Sequence, residues 1–385
     1  MKNETKERNS NFELMRIISM LFVVIYHVRM HSGFASRAYG SVEIILDIIT
    51  NIIVVHVNSF VLLCGYFQSK SKFKFSKVIS INNSTWFYKS LFMIVALFLI
   101  KYTTFPIEGD FEKITVLKTF SWLDHGIYWY IDCYLVLYLI SPLLNKIIDN
   151  SSKKELQRII LLLFLLFSII PIITLEETIY TRNGHSVTSF ILLYFVGAYL
   201  RIYPIKENYY FKKMSNTLRK TIFIIIILVS SISLVACRLI SMNISTYGVV
   251  MNHIAQILNT NYLSFGGPIL IIESIAYFLL FESINLKSKF VNKVAKYSLG
   301  VYLIHENVLV RENLYQWLKF TIIEKITLKT IGLMIGLSIL IYIISTIIEM
   351  IRQGIFKYIY NRKISSKIRT NCKNYIEKIG IHVNW

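Results

Sequence analysis

Cysteine is scarce in this chain, and acidic side chains are outnumbered. The four cysteines among 385 residues, Cys64, Cys133, Cys237 and Cys372, show no paired spacing. That excludes a disulfide framework and a spaced cysteine zinc motif. Three of them fall in apolar runs, where a thiol behaves as a small hydrophobe. Asp and Glu total 22 against 42 Lys and Arg, which leaves a formal net charge of +20. Such a balance can signal a nucleic-acid partner, but here the cations cluster between apolar runs, as membrane topology requires. Internal repeats and low-complexity tracts are missing too. The first apolar stretch lacks a small-residue cleavage site and carries Arg16 inside it, so it reads as a retained span rather than a signal peptide.

Long hydrophobic runs are what the chain has in quantity. It is 55% hydrophobic with a mean hydropathy of +0.54. Runs of about 20 residues, the length that crosses a bilayer, recur throughout. They predict spans near 12–32, 42–67, 86–105, 127–145, 158–175, 187–203, 221–240, 264–282, 298–318 and 328–349. The expected fold class is all-α: a polytopic integral membrane protein of about ten transmembrane helices. With the N-terminus inside, the inner segments hold 29 Lys and Arg and the outer segments 8. This bias predicts that both termini are cytoplasmic. The division is then a transmembrane domain over 1–350 and a basic tail over 351–385. Ile355, Tyr358, Ile359, Ile364 and Ile368 sit between the tail's cations, the pattern of an interfacial helix on anionic lipid.

The outer segments differ in character. Segment 106–126 carries Glu108, Asp110, Glu112 and Asp124 with Trp122, whereas 241–263 is polar and almost uncharged, with Asn243, Asn252, Asn259 and Asn261. Asn, Tyr and Trp bind sugars, and they also populate any interfacial belt.

An ionisable residue inside a span costs about 2.5–3.5 kcal/mol on insertion scales, so each should face a cavity or a partner. The first span holds Arg16 and His27. Eleven residues apart, they leave one helix face, offset by roughly 16 Å along the axis. Glu13 is placed to pair with Arg16, and snorkelling to the inner headgroups is the alternative use of that cation. For His27 the alternative is a hydrogen bond within the bundle. His31 invites a metal pair, but no carboxylate or cysteine motif matches it, so no metal is expected. In the ninth span, Ser298, His305 and Glu312 recur every seven residues on one face. Each step is roughly 10 Å, too long for a triad. His305 stands beside Glu306 and Asn307, and Arg311 and Glu312 are expected either to offset each other's charge or to mark an early emergence into the outer interface. Gly65, in NSFVLLCGYF, permits a close helix approach. Tyr128, Trp129 and Tyr130 mark an outer boundary.

The stretch FELMRIISMLFVVIYHV resembles the first span of the membrane-bound acyltransferase family 3, marked by Arg or Lys, ten residues, then His. Arg16 and His27 match that mark. NSFVLLCGYF, YWYIDCYLVLYLISPLLN, SFILLYFVGAYLRIY and SLGVYLIHENVLVR resemble later family segments in the same order, so the likeness runs from about residue 10 to 350. The resemblance implies O-acetylation of a cell-surface polysaccharide, capsular or cell-wall, with acetyl-CoA as donor. It implies a multi-pass protein of the plasma membrane whose partners are acetyl-CoA, a surface polysaccharide or lipid-linked oligosaccharide, and membrane lipid, without nucleic acid. His27, Arg16 and His305 are the expected catalytic residues, with His27 as general base or transient acyl carrier. Glu306, Tyr302, Trp129 and Arg311 are expected around the substrate. Cys64 stands where the family commonly has Ser, and INNSTWFYKSL lacks the usual basic continuation. The 36 residues after 349 are too few for the hydrolase-like domain that many relatives carry. A glycan or lipid-intermediate flippase is the rival reading, and a scaffold for polysaccharide assembly is a third.

Overall fold

The computed structural model describes residues 8–102, 128–175, 181–318, 323 and 325–361, and among them every regular element is helical. Helix α1 is Ser10–His31, α2 Gly40–Ile53, α3 His56–Gln68, α4 Phe75–Tyr102 and α5 Trp129–Asp149. Helix α6 is Lys153–Thr174, α7 Val187–Ile202, α8 Asn216–Ile244, α9 Val249–Asn261 and α10 Pro268–Glu282. The chain then forms a short helix Lys289–Val294, α11 Ser298–His305, α12 Val308–Trp317 and α13 Leu328–Asn361. Among the described residues, seven segments are long and apolar enough to cross a membrane: α1, α2 with α3, α4, α5, α6, α8 and α13. Of the three other expected spans, α7 and α10 are shorter apolar helices of 16 and 15 residues, and the ninth is split. The expected outer segment 106–126 and Ile364 and Ile368 of the tail lie outside the described residues.

Local sequence sets the helix ends. Glu13 lies in the first turn of α1 and Arg29 and His31 in the last, each complementing the helix dipole. Ser152 and Glu155 form a capping box at the start of α6, and Ser186 caps α7 through the Ser189 amide. Two spans expected as continuous are broken. Between α2 and α3 the chain turns at Val54 and Val55, and the His56 ring binds the Ile53 carbonyl oxygen at 2.8 Å. The ninth span breaks at Glu306–Asn307, where the Asn307 side chain accepts the Leu309 amide at 3.1 Å and starts a new helix. Glu312 therefore does not continue the face of Ser298 and His305.

Helix α1 runs through the centre of the bundle and touches α2, α3, α10, α11, α12 and α13. Its Phe12 and Met15 join one buried apolar cluster, and Met20, Val23, Val24 and Val28 join a second. Helices α3 and α7 cross at glycine. A Cβ on Gly65 would strike the Tyr194 carbonyl, and one on Gly197 the Leu62 carbonyl. The sequence expectation of a close approach at Gly65 holds. Outward faces are apolar instead of polar: Ile224, Ile225, Leu228, Val229 and Ile232 on α8, and Ile339, Leu340, Ile343, Ile344 and Ile347 on α13, are exposed. An exposed apolar stripe at helical spacing suits lipid and not water.

A buried ion network ties one end of the bundle together. Asp47 on α2 accepts from Arg29 of α1 at 3.2 Å and from the Tyr262 hydroxyl at 2.7 Å. Arg238 of α8 pairs with both Asp47 and Glu43.

Candidate active site

A cavity of about 890 Å³ follows α1 through the bundle, and Arg16 and His27 both line it. The shared face expected from their spacing is the face turned to this space. Arg16 pairs with Glu13 at 2.6 Å and lies over the Phe67 ring, so the expected pairing is present in a cavity wall. Arg8, Lys70, Lys77, Arg201 and Lys296 line the cavity as well. Lys77 rests on the rings of Tyr134 and Tyr138, and Arg201 on that of Tyr66. Sequence reading counted these cations only as topology charges. Their position inside apolar neighbours, between Tyr-rich helices, becomes visible only in the packed bundle.

At the other part of the cavity, three titratable groups converge. His27 Nδ1 lies 3.0 Å from His305 Nε2 and 2.8 Å from Glu306 Oε2. The break after α11 makes this possible, because it ends the helix at His305 and turns Glu306 toward α1. His31 Nε2, one turn beyond His27, lies 3.7 Å from the same carboxylate oxygen. Arg311 donates to the other oxygen, Oε1, at 3.2 Å and to Glu312 at 2.8 Å. Asn307 donates to the Tyr128 hydroxyl at 3.0 Å, and that hydroxyl donates to the Leu303 carbonyl at 2.8 Å, which pins the break.

The network assigns the tautomers. His305 Nδ1 faces the Val301 carbonyl at 2.6 Å, an acceptor only, so that nitrogen carries the proton. His305 Nε2 is then a lone pair, so His27 carries its proton on Nδ1, facing both His305 Nε2 and Glu306 Oε2. The ring nitrogen left with a lone pair on His27 is Nε2, which makes no hydrogen bond to the described residues. A neutral imidazole held through Nδ1, with a carboxylate beside it, is an arrangement that suits a general base: Nε2 is able to accept a proton, and Glu306 is placed to balance the resulting charge.

The other expected residues separate into two groups. Tyr302, Glu306, Arg311 and Trp129 line the cavity; His305 does not, and packs behind His27. The Tyr302 hydroxyl is buried without a hydrogen-bond partner among the described residues. Cys64 lines the cavity as a buried apolar side chain. Two histidines outside the sequence selection also line it. His56 packs on Tyr26 and Phe265, and His185 packs against Trp129 with ring centroids 4.5 Å apart and planes tilted by 53°. For His56 a signal existed, since it is an ionisable residue inside a predicted span.

His27, His305 and Glu306 place one ligand atom each within 4.8 Å of the others, so they are also the described residues that could hold a cation. Glu306 supplies the carboxylate that the sequence search around His31 did not find. Two features disfavour a metal here: the imidazole lone pair of His305 is used by His27, and Arg311 already neutralises the carboxylate.

A family model described as an acyltransferase domain, Acyl_transf_3, matches residues 9–350. No curated protein and no solved structure matches the chain. With nearly the whole helical bundle covered, the chain belongs to acyltransferase family 3.

Proposed function

We propose that this acyltransferase moves an acetyl group from cytoplasmic acetyl-CoA to a hydroxyl of a cell-surface polysaccharide, from the plasma membrane. The observation that carries this reading is the single cavity with two chemically different parts. One part is lined by Arg8, Arg16, Lys70, Lys77, Arg201 and Lys296, the other by His27, Glu306 and Tyr302. Guanidinium and ammonium groups suit the phosphates of a CoA donor, and the basic segments around them are those that the positive-inside bias assigns to the cytoplasm.

The step follows from the tautomers. His27 Nε2 removes the proton of the acceptor hydroxyl as its oxygen attacks the thioester carbonyl carbon. The carbonyl oxygen becomes an oxyanion, and the partnerless Tyr302 hydroxyl is the donor suited to it. The carbon–sulfur bond then breaks, and the thiolate takes the proton from the His27 imidazolium. Glu306 stabilises that imidazolium, while Arg311 fixes the carboxylate from its far side. His305 acts through His27 as a positioning residue. No metal enters this scheme.

Membranes containing the full chain, given acetyl-labelled acetyl-CoA, should place label in the surface polysaccharide, detected by NMR of the purified glycan. A flippase would leave the glycan unlabelled, and that result would refute the proposal. A scaffold would tolerate loss of His27 without change in the glycan.

A further inference from the structure

A second pocket, of about 330 Å³, adjoins the main cavity and takes no part in the chemistry above. Its polar lining comes from Ser168, Thr181, Asn183, Gln256, Asn259, Thr260 and Ser264, and among the described residues no charged side chain lines it. The volume is within the range of small-molecule sites. Amides and hydroxyls offer both donors and acceptors, the complement of a neutral polyol. Asn259 belongs to the uncharged polar stretch 241–263 that the site chemistry left unused.

The wall between the two spaces is specially built. Two turns, 181–185 and 263–267, meet through the Gly266 amide, which donates to the Asn183 carbonyl at 3.3 Å. Gly184 has φ +90°, and a Cβ there would strike Gly266 and Phe265. From below, a π-helical turn, Leu165–Ile169, carries the buried Ser168 hydroxyl to the Gly266 carbonyl at 2.6 Å. Such turns interrupt helices frequently at functional sites. Among the described residues, the non-glycine positions with positive φ are Leu175, Arg182, Asn183 and Leu263. Leu175 and Asn183 line this pocket, and the other two adjoin lining residues. Strain concentrated around one pocket points to a use for its shape.

The same two turns face both ways. His185 and Phe265 look into the main cavity, where their rings lie 4.8 Å apart and, with Trp129, form an aromatic shelf. Asn183 and Ser264, their close chain neighbours, line the second pocket.

We infer that the second pocket is a subsite for a hydroxyl-rich sugar of the acceptor glycan, next to the sugar that lies over the aromatic shelf and receives the acyl group. The inference rests on the glycan acceptor proposed above. It makes the enzyme selective for oligosaccharides over single sugars.

The test uses the full chain in lipid nanodiscs with labelled acetyl-CoA. The acceptor probe is the cell's own surface polysaccharide, de-O-acetylated and cut into fragments of increasing length. With the wild type, kcat/KM should rise from monosaccharide to longer fragments. In Gln256→Ala/Asn259→Ala, which changes two exposed side chains, the oligosaccharide-to-monosaccharide ratio of kcat/KM should fall roughly tenfold or more, through KM. An unchanged melting temperature would show that the variant is folded. A ratio equal to wild type, or length-independent transfer by the wild type, would overturn the subsite while leaving glycan acylation standing. Absence of transfer to every fragment would overturn both.

Discussion

Two clusters of buried charge sit along α1, and they are built to opposite ends. Around Asp47, the carboxylate is fully engaged by Arg29, Arg238 and Tyr262, and none of these groups lines the main cavity. Around His27, a lone pair and the Tyr302 hydroxyl have no partner among the described residues, and both residues line the cavity. The first cluster joins α1, α2 and α8 away from the cavity, so even Arg29 Nε, which lacks a hydrogen-bond partner among the described residues, does not face a ligand there. The second keeps valence open where a ligand can reach it. A buried ionisable group in a membrane bundle is thus informative chiefly through what remains unsatisfied.

Substitutions should separate the clusters. Asp47→Ala leaves the buried Arg29 guanidinium without its carboxylate, while half-buried Arg238 keeps Glu43. Breaking such a network costs about 3–5 kcal/mol, so the amount of folded protein and its melting temperature should drop sharply while transfer per folded molecule persists. Glu306→Gln keeps the shape but removes the charge opposite His27; kcat should fall roughly a hundredfold with the melting temperature within a few degrees of wild type. If both variants lost stability alone, the clusters would be equivalent and the contrast would fail. Arg16→Ala should raise KM for acetyl-CoA about tenfold, near 1.4 kcal/mol, with Arg16→Lys intermediate; equal KM in all three would make Arg16 a membrane anchor. The smallest change is expected for Tyr262→Phe, which removes one hydrogen bond to Asp47, about 1 kcal/mol of stability, and leaves kinetics alone.

Helical periodicity made part of the site legible. It identified the face shared by Arg16 and His27, the Glu13 pairing and the need for Gly65 at a tight crossing, because all three depend on spacing within one helix. It could not bring His305 to His27 across 278 residues, since a period reveals which face is turned inward and not which helix fills the space opposite. The break at Asn307 was hidden for a related reason: an asparagine in an apolar run reads as one polar residue until its side chain caps a new helix. Lys77 and Arg201 illustrate the limit from the other side. Their charge determined topology in the sequence, and only packing against Tyr134, Tyr138 and Tyr66 turned it toward the cavity.

The central claim is that the His27 lone pair activates the acceptor hydroxyl. Its most direct test is transfer of labelled acetyl from acetyl-CoA to the de-O-acetylated surface polysaccharide by purified His27→Ala, at a protein concentration matched to wild type by folded fraction. The rate should fall by about 10²–10⁴ with an unchanged melting temperature; transfer at the wild-type rate would contradict the account.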